Sequence, residues 1–156
     1  MKFWSLLAFC LTFSCAGSAK AQSSITPDFS RTQDVAESAL RYFIAENQPG
    51  FGPRVVCFST SVSLPMKFIS RFANSTDPVV WSIECLHDAL GGVHYRKNNK
   101  PGVLIEISSI RWISGEDAEV TGFCRWGDFV PAPTIIHLIQ KKGTWIVKRQ
   151  ENIRVP

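Results

Sequence analysis

The change of apolar period at Val79 constrains this chain more than any other feature. Upstream, apolar residues recur at helical spacing in two stretches. Downstream they come in short strand-like runs cut by Gly, Asn, Asp and Pro. "VVWSIECLH" runs into the turn "DALGG", and "VHYRK" runs into "NNKPG". Four longer segments follow: "VLIEISSIRWIS", "AEVTGFCRWG", "TIIHLIQ" and "TWIVKRQENI". "GED", "DFVPAP" and the tight "KKG" separate them. These last four segments predict an antiparallel meander whose long strands must twist. Gly122 interrupts one of them and is a candidate bulge that would help the sheet curl.

Upstream, "SRTQDVAESALRYFIAENQPG" predicts a helix. Ser30 and Gln33 fit a capping box, and Pro49 and Gly50 stop the run. Val35, Ala39 and Phe43 with Ala36, Leu40 and Ile44 make a broad apolar face. "RVVCFST" predicts a short buried strand. "SLPMKFISRFANS" predicts a second, shorter helix, with Ser63 as cap, Pro65 in its first turn, and Leu64, Phe68 and Phe72 four residues apart.

The N-terminus, "MKFWSLLAFCLTFSCAGSAKAQ", has the three-part layout of a secretory signal. Lys2 precedes an apolar stretch from Phe3 to Phe13, and Ala19 and Ala21 frame a cleavage site. Cleavage is expected after Ala21, giving a signal peptide 1–21, one domain over 22–156, and a periplasmic or secreted product. The competing expectation is lipid attachment at Cys15, disfavoured by the bulky Phe13 just before it. The apolar stretch is shorter than the roughly 20 residues that span a bilayer, and no transmembrane segment is expected in the mature chain. Of 17 basic residues, Lys2 and Lys20 leave with the leader; 15 remain against 13 acidic, a net +2. The densest basic cluster is Arg96, Lys97 and Lys100 in one polar turn, too few aligned cations to track phosphates, so no nucleic-acid partner is expected. Cys57, Cys85 and Cys124 remain in the mature chain. One disulfide and one buried thiol is the simplest account in an oxidising compartment. Three pairings are open. The expected one is Cys85 with Cys124, because Cys57 lies in a buried strand where a thiol packs well.

Two helices leading into "IEISSIRWISGEDAEVTGF" and "IIHLIQKKGTWIVKR" resemble the NTF2-like (cystatin-like) α+β superfamily, with "DAEV" opening one strand and "KKGTWIV" closing the pattern. The ending is also similar to that of exported bacterial proteins. The resemblance covers the last third of the chain. It implies an α+β fold in which two N-terminal helices pack on a curved antiparallel sheet, with a pocket at the open end. It implies no one chemistry.

Candidate chemistry is sparse. The cysteine gaps do not suit zinc, and no metal site or cofactor is expected. No G-x-S-x-G, P-loop or G-x-G-x-x-G occurs. His87 and His94 flank the "DALGGV" turn beside Glu84 and Asp88, where a facing pair would bind a metal or supply a base, and a plain polar turn serves equally. His137, between Ile135 and Ile139 on one strand face, is the best candidate for a catalytic proton carrier or pocket residue, given a carboxylate partner. Glu106 and Asp128 are candidate carboxylates, whereas Glu116, Asp117 and Glu119 read as a solvated turn. In "AEVTGFCRWGD", Val120, Gly122, Cys124 and Trp126 share one face and Arg125 points away, so Cys124 reads as structural. Trp112 and Trp126 are candidate rim residues for a ligand or partner, together with His137.

These observations favour an exported, non-catalytic module binding a small ligand or a protein, a second copy of itself in a homodimer included. The alternatives are a small cofactor-independent hydrolase or isomerase using His137, and an immunity-type partner of another exported protein.

Overall fold

Asp28 starts the helix: its Oδ1 accepts the Ser30 backbone N–H at 3.1 Å. The cap is therefore Asp28, and the Ser30–Gln33 box is not used, because Ser30 already lies inside α1, Phe29–Glu46. The computed structural model describes residues 28–46, 54–125 and 132–153. The expected leader and cleavage site, Trp126 and Asp128 lie outside them.

Val35, Ala36, Ala39, Leu40, Phe43 and Ile44 of α1 are buried, as their spacing predicts. Each large side chain among them contributes about 1.5–3 kcal/mol by leaving water. The expected second helix is not α-helical. Met66–Phe72 is a 3-10 helix preceded by an extended Pro65, with no side-chain cap. Phe68 N–H bonds Pro65 O, an i to i+3 closure. A run this short, held between Pro65 and the turn at Ala73 and Asn74, cannot recover the cost of nucleating an α-helix. Phe68 and Phe72 are nevertheless buried.

The strands are β1 Val55–Thr60, β2 Val79–Trp81, β3 Cys85–His87, β4 Val93–Tyr95, β5 Lys100–Trp112, β6 Asp117–Arg125, β7 Thr134–Lys141 and β8 Thr144–Asn152. They form one sheet in the order β2-β1-β5-β6-β7-β8, with β4 joining β5 and β3 joining β4. β5 to β8 make the expected antiparallel meander. The expectation of an antiparallel sheet carrying two N-terminal helices is overturned. The sheet is mixed, since β1 runs parallel to both β2 and β5, and α1 is the one α-helix among the described residues. The reason is visible in "VVCF", buried on both faces, which suits an interior parallel strand.

Val56 and Phe58 of β1 face the main core under α1, together with Val103, Ile105, Ile107, Val120, Cys124, Ile136, Leu138 and Trp145. On the opposite side, Cys57, Cys85, Val93 and Leu104 form a second small core, with Val80 and Phe123 against it. The disulfide joins Cys57 to Cys85. The expected Cys85–Cys124 bridge is thus corrected. Cys124 is buried in the helix-side core, whereas Cys57 and Cys85 meet on the other face.

The bulge lies beside Gly122, on the neighbouring strand. Register shifts between Ile107 and Ser109, opposite Gly122 and Thr121. Ser108 Oγ donates to Thr121 O at 3.1 Å, fixing the extra residue. A Cβ on Gly122 would stand 2.5 Å from Glu106 O and 3.0 Å from Phe43 Cε2. At the β7–β8 turn, Lys142 and Gly143 both adopt positive φ, 50° and 81°, the signature of a two-residue type I′ hairpin.

Gly122→Ala should therefore destabilise the fold by about 2–3 kcal/mol, since the nearest obstacle is backbone; urea unfolding measures it. Reducing the Cys57–Cys85 bond, which spans 28 residues, should lower stability by about 3–4 kcal/mol, read from unfolding curves with and without dithiothreitol.

Candidate functional site

One turn of α1 after another places Asp34, Glu37, Ser38 and Arg41 along a single flank of the helix. With Gly143, Thr144, Trp145 and Val147 from the β7–β8 hairpin they line a cleft of about 400 Å³. Its carboxylates are already paired. Arg71 Nη1 donates to Asp34 Oδ1 at 2.8 Å and to Glu37 Oε2 at 2.7 Å. Arg41 donates to Glu37 Oε1 and to Arg71 O, both at 2.8 Å. The hydrogen bond to Asp34 does most to raise the Arg71 pKa above its ordinary range; burial opposes it and Glu37 adds to it.

Beside the cleft, Trp112 and Trp145 meet edge to face with centroids 5.5 Å apart. The Arg31 guanidinium lies 5.4 Å from the Trp112 ring centre and 5.9 Å from that of Trp145, and donates to Gln140 Oε1 at 3.5 Å. Trp145 is 4% exposed, and its buried Nε1–H has no acceptor. Leaving such a donor unsatisfied costs about 1–3 kcal/mol. Trp112, a sequence candidate, thus belongs to this end of the molecule, while Trp126 lies outside the described residues.

His137 stands on the other face. Its neighbours Ile136 and Leu138 point into the core under α1, so His137 points away from the helix, with Ile135 and Ile139. Register brings Arg111, Glu119, His137 and Arg149 into line across β5 to β8. Arg111 is ion-paired with Glu119. Glu119 Oε1 lies 3.2 Å from His137 Nδ1, Glu151 Oε1 lies 3.5 Å from His137 Nε2, and Arg149 Nη2 is 3.2 Å from Glu151 Oε1. The imidazole is held between two carboxylates, and Nε2 is shielded from solvent without a hydrogen bond. A base here needs Glu151 to move before Nε2 can meet a substrate.

The histidines at the β3–β4 hairpin do not come together. His87 pairs with Val93 and His94 with Leu86 in the antiparallel register, so the two rings lie on opposite faces of the hairpin. Asp88 closes the turn instead. Its Oδ1 accepts the Leu90 and Gly92 N–H groups, each at 2.8 Å, and its Oδ2 lies 3.1 Å from His94 Nε2. No metal-binding group of three such ligands occurs among the described residues.

The sequence reading missed Glu119, Glu151, Arg31 and Trp145. Glu119 read as part of a wet turn, yet it lies in β6 with its side chain 16% exposed. Only cross-strand register reveals its partner, and register depends on where the bulge falls. Trp145 carried a signal in "KKGTWIV", an indole just after a tight turn. No family model, curated protein or solved structure matches this chain.

The Asp88 carboxyl is held below the usual carboxylate range, first by the Gly92 N–H and then by His94 and the Leu90 N–H. A depressed acid stabilises the fold above its unfolded pKa, and that contribution disappears as pH falls through the folded value. The Leu90 and Gly92 amide resonances should therefore hold steady down to about pH 4 and move together below it. In Asp88→Asn the acid-dependent movement should be lost.

Proposed function

We propose that this chain is an exported, non-catalytic binding module whose ligand site is the cleft between α1 and the β7–β8 hairpin. The observation that carries the reading is the orphaned indole donor of Trp145, a buried residue lining that cleft. A buried Trp N–H usually has a partner, and a ligand acceptor that displaces the groups now shielding the indole N–H would supply it. The cleft volume falls within the span of small-molecule sites. Its Asp34, Glu37 and Arg41 are mutually neutralised with Arg71, which favours a small uncharged polar molecule over an ion. Export is supported by the leader-like N-terminus and by the disulfide, which persists in oxidising compartments.

Native mass spectrometry of the oxidised protein, purified without denaturation, tests this. A retained small molecule is expected on the wild type and should be depleted in Trp145→Phe. Identical ligand-free masses for both, with no change in tryptophan fluorescence on titration with neutral sugars or amides, would remove the support.

The second reading, a cofactor-independent hydrolase or isomerase, is favoured by the 3.2 Å approach of Glu119 to His137. In that reading His137→Gln abolishes turnover while leaving the unfolding curve in place. Equal turnover by the two proteins excludes it.

A further inference from the structure

The two most exposed large apolar residues of the described chain are Ile83 and Leu90, each 77% exposed, and both belong to the excursion that forms the β3–β4 hairpin. Leu86, between them, is 43% exposed. The hairpin has an inner face available for apolar groups. Cys85 and Val93 occupy it, packed over Cys57 and Leu104. Leu86 alternates with Cys85 and pairs with His94, so it faces outward.

Leu90 is held in the open by construction. Asp88 takes the Leu90 and Gly92 N–H groups with one oxygen, and Asp88 N–H bonds Gly92 O at 3.0 Å. The Cys57–Cys85 bond ties the base of the hairpin to β1. This is a fixed projection with aliphatic side chains on it, unlike a loose loop.

Cations flank it. Arg96 and Lys97 are exposed beside Ile83 and share a shallow surface recess with it, Tyr95 and the single carboxylate of Glu84, which leaves the recess net positive. Lys100 pairs with Tyr95 at the start of β5. None of the three forms an ion pair with a described residue. Protein hot spots are typically aromatic anchors set in pockets. Exposed aliphatics along the hairpin, with cations at its base beside Ile83, instead match the two layers of a bilayer surface, acyl chains below anionic headgroups.

We propose that the β3–β4 hairpin docks this protein on anionic lipid bilayers, with Ile83, Leu86 and Leu90 entering the interface and Arg96, Lys97 and Lys100 meeting the headgroups. The docking is peripheral: no helix among the described residues is long and apolar enough to cross a membrane. It is independent of the cleft's ligand.

The test is co-sedimentation of the folded, oxidised protein with vesicles of phosphatidylglycerol and phosphatidylcholine, against vesicles of phosphatidylcholine alone. Binding is expected on the anionic vesicles and should weaken as salt is raised. Ile83→Asp and Leu90→Asp should each lower the partition coefficient about tenfold. Lys97→Glu with Lys100→Glu should lower it by about tenfold or more. Ile146→Asp replaces an aliphatic residue 38% exposed on β8, away from the hairpin, and should bind like the wild type. Unchanged unfolding curves would confirm that the variants are folded. Failure of the wild type to sediment with anionic vesicles overturns the proposal. So does equal loss in Ile146→Asp, which would indicate unspecific stickiness. Capture by immobilised polyglutamate but not by vesicles, lost in the same hairpin variants, would overturn it in favour of an acidic protein partner.

Discussion

The distance between α1 and the sheet is set where the Phe43 ring rests on the bare backbone of Gly122. No side chain larger than hydrogen fits between them. The neighbouring strand accommodates the approach by its bulge at Ser108. Above the contact, the apolar face of α1 closes over β5 to β8. At its margins lie polar clamps: Tyr42 donates to Gln150 on β8, and Arg71 ties Asp34 and Glu37 to the 3-10 segment. The cleft beside Trp145 is lined on its α1 side by Asp34, Glu37 and Arg41, the residues of this charged clamp.

The two sides of the sheet are consequently different. The buried residues of the helix side are all hydrophobic. Among the described residues, the far side has its own small core where the disulfide hairpin covers β1 and β5. Across β5 to β8 it carries a row of contacts that runs Arg111–Glu119–His137–Glu151–Arg149. Such cross-strand pairs contribute modestly each. Together they tie β5 to β8 on a face that no helix among the described residues covers.

Much of the architecture was legible where periodicity is long and uninterrupted. The α1 face, the four-strand meander and the inward set Val120, Gly122 and Cys124 follow from spacing alone. Parity failed at the bulge. Counting by twos places Ile110 with Glu106, whereas the extra residue at Ser108 returns Ile110 to the core side. The same dependence on register concealed the pairing of Glu119 with His137. The mixed sheet was hidden for another reason: nothing local in "RVVCFST" says which distant strand it joins. The disulfide followed from that omission, because its partner depends on which face of β1 Cys57 occupies. Among the candidate site residues, Trp112 proved to sit beside a cleft, and His137 proved to lie on the opposite face.

The position of β1 between β2 and β5 has a consequence for how the chain assembles. β1 is made early, but the segment that completes its pairing, Gly102–Ile107, follows only after the whole hairpin excursion. β5 to β8, by contrast, join neighbours in sequence and need only short loops to close. Pairing distant parallel segments is slow because the intervening loop must first be ordered. The C-terminal meander can therefore serve as the template, with "VVCF" waiting as an uncovered sticky segment until it is recruited. Transiently exposed apolar strands of this kind are what makes a folding chain prone to aggregate.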